Sequence, residues 1–311
     1  MPRIVQDLRD AAWSAFNHSV FSMAKATAYS AILSIFPALL VLTTMVASST
    51  SDQSITTLIE ADLEHLMPAD TIELIRAYCQ ANHLRSLHLV WAATLVSLSG
   101  AIGVLFSLME GFRRAYRLPR GVWGIWREPA MAFLLVPATL IPEALATLFL
   151  VFGRSVELWM IENSDQELHS YVLFLWRMFR WATGLLTSVI VLAVIYRFGV
   201  PRKAHLVSWE KRRSFRFIIW VRPKTVELPT GIPSMWSTVL PGSLLATATW
   251  FISTIFYGLY LSRFSERSLV YGSLSAAVVT LVWLYLVALS ILIGAEFNAR
   301  LFPGRIPDAS A

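Results

Sequence analysis

Few side chains in this sequence are placed to do chemistry. Its six histidines stand at positions 18, 65, 83, 88, 169 and 205. No two of them form an H-x-H or H-x-x-x-H pair, so a hydrolytic zinc site has no ligand set, and no catalytic residue, metal or cofactor is expected. The phosphate-cradling G-x-x-x-x-G-K-[ST] loop is absent, as is the G-x-S-x-G nucleophile elbow, which argues against ATP hydrolysis and serine acyl transfer by those routes. One acid stands out. Glu143 is the single charge in PATLIPEALATLFLVFG, residues 137–153, with no basic residue within a helical turn of it.

What Glu143 can do depends on its surroundings, and composition supplies them. The 311 residues are 56% hydrophobic and 15% charged, with a mean hydropathy of +0.59. A soluble domain carries about 25% charge. Several runs of roughly 20 residues with few or no charges match the length an α-helix needs to cross a hydrocarbon core of about 30 Å. Lipid cannot satisfy open backbone groups, and unbroken apolar runs favour a helical bundle over a barrel. The expected fold is therefore all-α, a polytopic membrane bundle forming one domain over 1–311.

The runs place six spans at about 26–48, 87–110, 130–153, 179–198, 239–261 and 272–296. With the N-terminus inside, 19 of the 26 Lys and Arg fall in inner segments, Arg197 at the inner end of the fourth span included, so the positive-inside rule puts both termini in the cytoplasm. The net charge of +6 then reflects attraction to anionic lipid headgroups and requires no nucleic-acid partner. Membrane lipids are the expected partners, with a small-molecule or lipid-like substrate.

Between the spans, three segments have patterns of their own. Residues 1–24 carry Ile4, Leu8, Ala11 and Ala15 at helical spacing among polar residues, which predicts an amphipathic helix on the inner surface. In 50–86, Ile55, Leu58, Ile59, Leu63 and Leu66 mark one helical face before Pro68, and Asp70 with Glu73 has the spacing of an acid-capped second helix. The inner basic segment 199–238 contains SFRFIIWVRPKTVELP, which predicts a short hairpin or an interfacial segment, and Trp209, Trp220 and Trp236 suit the headgroup layer. Cys79 is the only cysteine, so no intrachain disulfide forms.

AYSAILSIFPALLVL (28–42), WSTVLPGSLLATATW (236–250) and YGSLSAAVVTLVWLYLVALSILIGAEFNARL (271–301) resemble, in matching order, the YihY/BrkB family of bacterial inner-membrane proteins. The resemblance covers nearly the whole chain and is most specific at the S-x-F-P, L-P-G, Y-G-S-L and G-A-E-x-N-A pieces. It implies six spans in the bacterial cytoplasmic membrane and a role in export or envelope homeostasis. Some members carry a ribonuclease name, which the missing ligand cluster argues against. One departure is visible, since the segment between Arg202 and Trp236 is longer than the short basic loop of the family.

Tyr29, Pro37, Pro241, Gly242, Tyr271, Gly272, Glu296 and Asn298 fall in these pieces and read as structural or gating positions. Gly272 with Ala276, and Ser99 with Gly103, have the small-xxx-small spacing that lets helices approach. Glu296 lies four residues before Arg300, the spacing of an intrahelical ion pair, and Glu110 stands in the same relation to Arg113 and Arg114. For Glu143 two readings stay open. A charge at mid-membrane costs about 2.5–3.5 kcal/mol on insertion scales and must face the bundle interior or a wet cavity. A protonated carboxyl there could donate to a carbonyl freed by Pro137 or Pro142, or the group could be a proton or cationic-substrate site. The lead reading is ATP-independent transport or export of a small or amphiphilic envelope solute. The alternative is a scaffold that organises lipids or envelope partners.

Overall fold

The computed structural model describes residues 19–49, 87–118, 126–163, 169–201, 203–208, 224–229, 235–264 and 273–303. Six long helices dominate: α1 Val20–Ser49, α2 Leu87–Ala115, α3 Arg127–Asn163, α4 His169–Gly199, α5 Leu240–Phe264 and α6 Ser273–Leu301. Each contains a segment long and apolar enough to cross a bilayer. Of the expected N-terminal helix, 1–24, residues 20–24 belong instead to α1; its residues 1–18, the two helices of 50–86, Trp209, Trp220, Tyr271 and Gly272 lie outside the described residues.

A two-stranded antiparallel pair accompanies the bundle. Strand β1, Lys203–Ser208, pairs with β2, Lys224–Pro229, in a register that sets Lys203 opposite Pro229 and Ser208 opposite Lys224. An antiparallel pair thus forms within 199–238, with β2 inside the SFRFIIWVRPKTVELP stretch and β1 ahead of it, while residues 209–223 lie outside the described residues.

Helices α1 and α2, α3 and α4, and α5 and α6 pair along their lengths. Contacts of α1 with α6, α4 with α5 and α2 with α3 join the three pairs into a ring. Because lipid is as apolar as leucine, such pairs are held by close packing and hydrogen bonds rather than by a hydrophobic force. Between α1 and α2 the approach is made by Gly100 and Gly103. A Cβ on Gly100 would meet the Ser34 backbone at 2.9 Å, and one on Gly103 would meet Ser30 Oγ at 3.1 Å. Ser99, expected in that seam, is exposed and bonds its own helix at Val96.

Alternate helices run in opposite directions, so one end of the bundle carries the start of α1, the end of α6 and the starts of α3 and α5. The hydrophobic core sits towards this termini end, where Met109, Phe112, Tyr196, Leu292 and Ala295 are buried together. Phe112 meets Tyr196 edge-on at 5.3 Å. Helix α2 stops there with Arg117 at a φ of 53°, while the Leu118 amide bonds back to the Arg113 carbonyl at 2.9 Å. That is a Schellman termination, which satisfies carbonyls the helix leaves open.

Candidate functional site: a membrane cavity with one acid

Helix α3 continues through Pro137 and Pro142 without a break. Along it Ala132, Leu135, Val136, Ala146 and Glu157 are buried, a stripe at helical spacing that faces the other helices. Glu143 lies on that stripe, one turn from Thr139 and from Ala146, yet it is exposed. An inward-facing residue stays exposed only where the facing helices stand away, and here they border an open cavity of about 350 Å³ that Glu143 lines. All six helices contribute to the wall. Glu143 stands 16 residues from the start of α3, about 24 Å at the α-helical rise, and so lies near mid-depth of its span.

The wall is predominantly apolar, and its polar side chains are Ser34, Thr139, Glu143, Ser188 and Trp250. Ser34 Oγ donates to the Ser97 carbonyl at 2.8 Å. Thr139 Oγ1 is committed to the Leu135 carbonyl at 2.9 Å and the Val136 carbonyl at 3.1 Å. The Trp250 indole nitrogen is buried without a hydrogen-bond partner among the described residues. The Glu143 carbonyl accepts from Thr147 Oγ1 at 2.9 Å, but its carboxyl makes no hydrogen bond or ion pair among the described residues. The bond to a proline-freed carbonyl, one of the two readings of this residue, is not formed.

The L-P-G and G-A-E-x-N-A pieces meet at the termini end. Asn298, fully buried, accepts from the Gly242 amide at 2.7 Å through Oδ1 and donates from Nδ2 to the Val239 carbonyl at 3.1 Å. It caps the first turn of α5 from across the interface, since the first amides of a helix have no intrahelical partner. Gly242 and Gly294 pack backbone to backbone: a Cβ on either would overlap the carbonyl oxygen of the other. Tyr196 Oη adds a third tie, donating to the Ile291 carbonyl at 2.6 Å. Pro241 sits in the first turn of α5, where its missing N–H costs nothing. Glu296 is 1% exposed, and Arg300, one turn on, is exposed.

Elsewhere Tyr29 is 62% exposed on α1, and Pro37 is half-buried within that helix. Glu110 is gripped by Arg113 through two bonds of 2.6 Å and by Arg114 at 3.0 Å, a local clamp. Just beyond α2, burial pushes the Tyr116 hydroxyl far above its ordinary pKa, so it stays neutral. Trp236 receives the Arg197 guanidinium over its ring at 4.5 Å, a cation–π contact.

Away from the termini end, α3 and α4 are tied by a charged contact that the sequence reading missed. Glu157, itself buried, takes Arg177 Nε at 2.5 Å and Arg180 Nη2 at 3.6 Å. Gly153 makes room for it, because a Cβ there would meet Arg180 Cδ at 2.9 Å. A signal was present: Glu157 lies six residues before the end of α3 and Arg177 eight after the start of α4, hence at matching depth on neighbouring helices. Ser188 and Trp250 had no such signal, being ordinary residues within apolar runs.

Comparison with known proteins gives this arrangement a family. The model of the family described as Virulence factor BrkB matches residues 12–209 and 228–307. The chain belongs to that family. The interruption at 210–227 falls inside the Arg202–Trp236 segment that departs from the family pattern. Over 303 residues, 94% of each chain, the protein is 25% identical to the ribonuclease-like protein YfkH of Bacillus subtilis (strain 168). A 73-residue stretch, 24% of each chain, is 30% identical to the UPF0761 membrane protein PSHAa0171 of Pseudoalteromonas translucida (strain TAC 125). Another of 66 residues is 35% identical to a UPF0761 membrane protein of Vibrio cholerae El Tor Inaba N16961, covering 21% of this chain and 22% of that one. No solved structure matches. The protein is thus an integral membrane protein of the BrkB family with six candidate spans.

Proposed function

We propose that this protein moves a small amphiphilic envelope solute across the bacterial cytoplasmic membrane without ATP, with both termini in the cytoplasm and no catalytic role. One observation carries the reading, the Glu143 carboxyl standing without a partner among the described residues in a cavity near mid-depth of its span. A carboxylate in such a place is costly unless something compensates its charge. A proton serves when the cavity is empty, and a cationic group serves when it is filled. Alternation between the two is the minimum that coupled transport requires. An open cavity weighs against a scaffold, for which a closed, dry bundle would suffice. The ribonuclease-like name belongs to the Bacillus relative, and among the described residues of this chain no three His, Cys, Asp or Glu converge.

Glu143→Gln retains size and hydrogen bonding but cannot carry charge. We expect it to reach the membrane in normal amount and to fail to complement loss of the gene, while Glu143→Asp complements in part. Full complementation by Glu143→Gln would end the transport reading in favour of a scaffold. Orientation is checked on the two exposed ends of α5 in a Cys79→Ser background: an impermeant thiol reagent outside intact cells should label Ser262→Cys and leave Ser237→Cys untouched. The reverse pattern would invert the topology.

A further inference from the structure

Resting on the reading of this cavity as a binding site, we infer that its ligand is an ammonium-headed amphiphile with a single apolar tail. Donors and acceptors are unevenly supplied in the cavity wall. Ser34 and Thr139 have already given their hydroxyl protons to backbone carbonyls, so towards the cavity their oxygens can only accept. The Trp250 indole N–H is buried. Ser188 makes no hydrogen bond among the described residues and can act either way. Glu143 offers two acceptor oxygens and a negative charge, and no Lys, Arg or His lines the wall.

A cavity rich in acceptors and poor in donors selects a ligand with the opposite balance. An ammonium group has up to three donors and no acceptor, and its charge cancels that of Glu143. A phosphate, sulfate or carboxylate head would meet the Glu143 charge with at most two neutral donors to hold it, the Ser188 hydroxyl and the buried Trp250 indole N–H. A calcium or magnesium ion would need six or more oxygens, which this wall does not assemble. The remaining surface, including Val104, Leu105, Leu108, Val136, Leu140 and Leu192, takes a hydrocarbon tail. At about 350 Å³ the space lies at the small end of the roughly 300–1,000 Å³ range of ligand pockets, which suits one short chain rather than a two-chain lipid.

The test uses full-length protein in phosphatidylcholine nanodiscs and three probes with the same diazirine-bearing octyl tail: an ammonium, a sulfate and an alcohol. The labelled residues are mapped by mass spectrometry. The ammonium should label the wall around Leu105 and Leu192, be displaced by excess octylammonium, and label at least tenfold more than the other two. Glu143→Gln should abolish that preference and Glu143→Asp should retain most of it. Because the wild-type comparison stands without any variant, poor folding of Glu143→Gln leaves the test intact. Equal labelling by all three probes, preference for the sulfate, or labelling confined to the lipid-facing surface would each overturn the inference. Failure here is separable from failure of the transport reading. A Glu143-dependent ammonium preference together with full complementation by Glu143→Gln removes transport but keeps the ligand class. Loss of complementation with a sulfate or alcohol preference does the reverse.

Discussion

The two ends of this bundle are both made of long apolar helices and are packed in opposite ways. At the termini end, the last turns of α6 from Gly294 to Ala299 are buried on every side. The Gly242–Gly294 contact, the Asn298 cap and the Tyr196 bond knit α4, α5 and α6 together there. In the opposite half, α3 and α4 stand as a hairpin with Leu145, Leu148, Phe152, Phe174, Leu175, Phe179 and Leu186 exposed. That hairpin is held chiefly by its own aromatic contacts and the Glu157 ion pair. Without a hydrophobic force between helices, small residues and buried hydrogen bonds decide where a membrane bundle closes. Where large apolar side chains occupy every face, lipid solvates them as well as a neighbouring helix would. The cavity lies where the tight half gives way to the loose one, and Glu143 stands at that boundary.

The sharpest break in this comparison uses two glycines of one helix. Gly242→Val drives a side chain into the Gly294 carbonyl and Asn298, whereas a Cβ on Gly258, in the loose half of α5, meets nothing within 4 Å. Gly242→Val should yield no monodisperse protein by fluorescence-detected size exclusion, and Gly258→Val should elute like the wild type. Equal behaviour would show that the ends do not differ in packing. Next in size is the cap. Asn298→Ala strands the Gly242 amide and the Val239 carbonyl, and a buried unsatisfied group costs about 1–3 kcal/mol, so a marked drop in thermal unfolding temperature is expected. The smallest effect belongs to the loose half. Arg177 is 60% exposed and contributes little, as exposed ion pairs do, so Glu157→Gln acts mainly through the half-buried Arg180. It should speed hydrogen exchange in the halves of α3 and α4 away from the termini end while leaving α5 and α6 unchanged. A change spread evenly over all six helices would mean that the hairpin is not an independent unit.

Much of this was legible in the residue string. Length and apolarity determine a six-helix membrane bundle, because the thickness of the hydrocarbon and the need to pair every backbone group admit little else. The family pieces pointed to Asn298 and Gly242, but as separate motif positions, since a hydrogen bond across 56 residues has no local periodicity. Glu110 and its arginines could be paired by spacing because helix geometry alone brings them together. Glu157 and Arg177 could have been paired by depth.

Glu143 marks the division. From the sequence alone it was an unpaired acid inside a span, and either a bond to a proline-freed carbonyl or an unsatisfied carboxyl was consistent with that. Its lack of a partner, the cavity before it, and the presence of Ser188 and Trp250 in the same wall follow from where α2, α4, α5 and α6 stand relative to α3. Helix positions in lipid are set by which small residues meet across the seams, a property of pairs of segments far apart in the chain. The sequence by itself determined that a charge lies in the membrane; only the packing of six helices decided that it faces an open space.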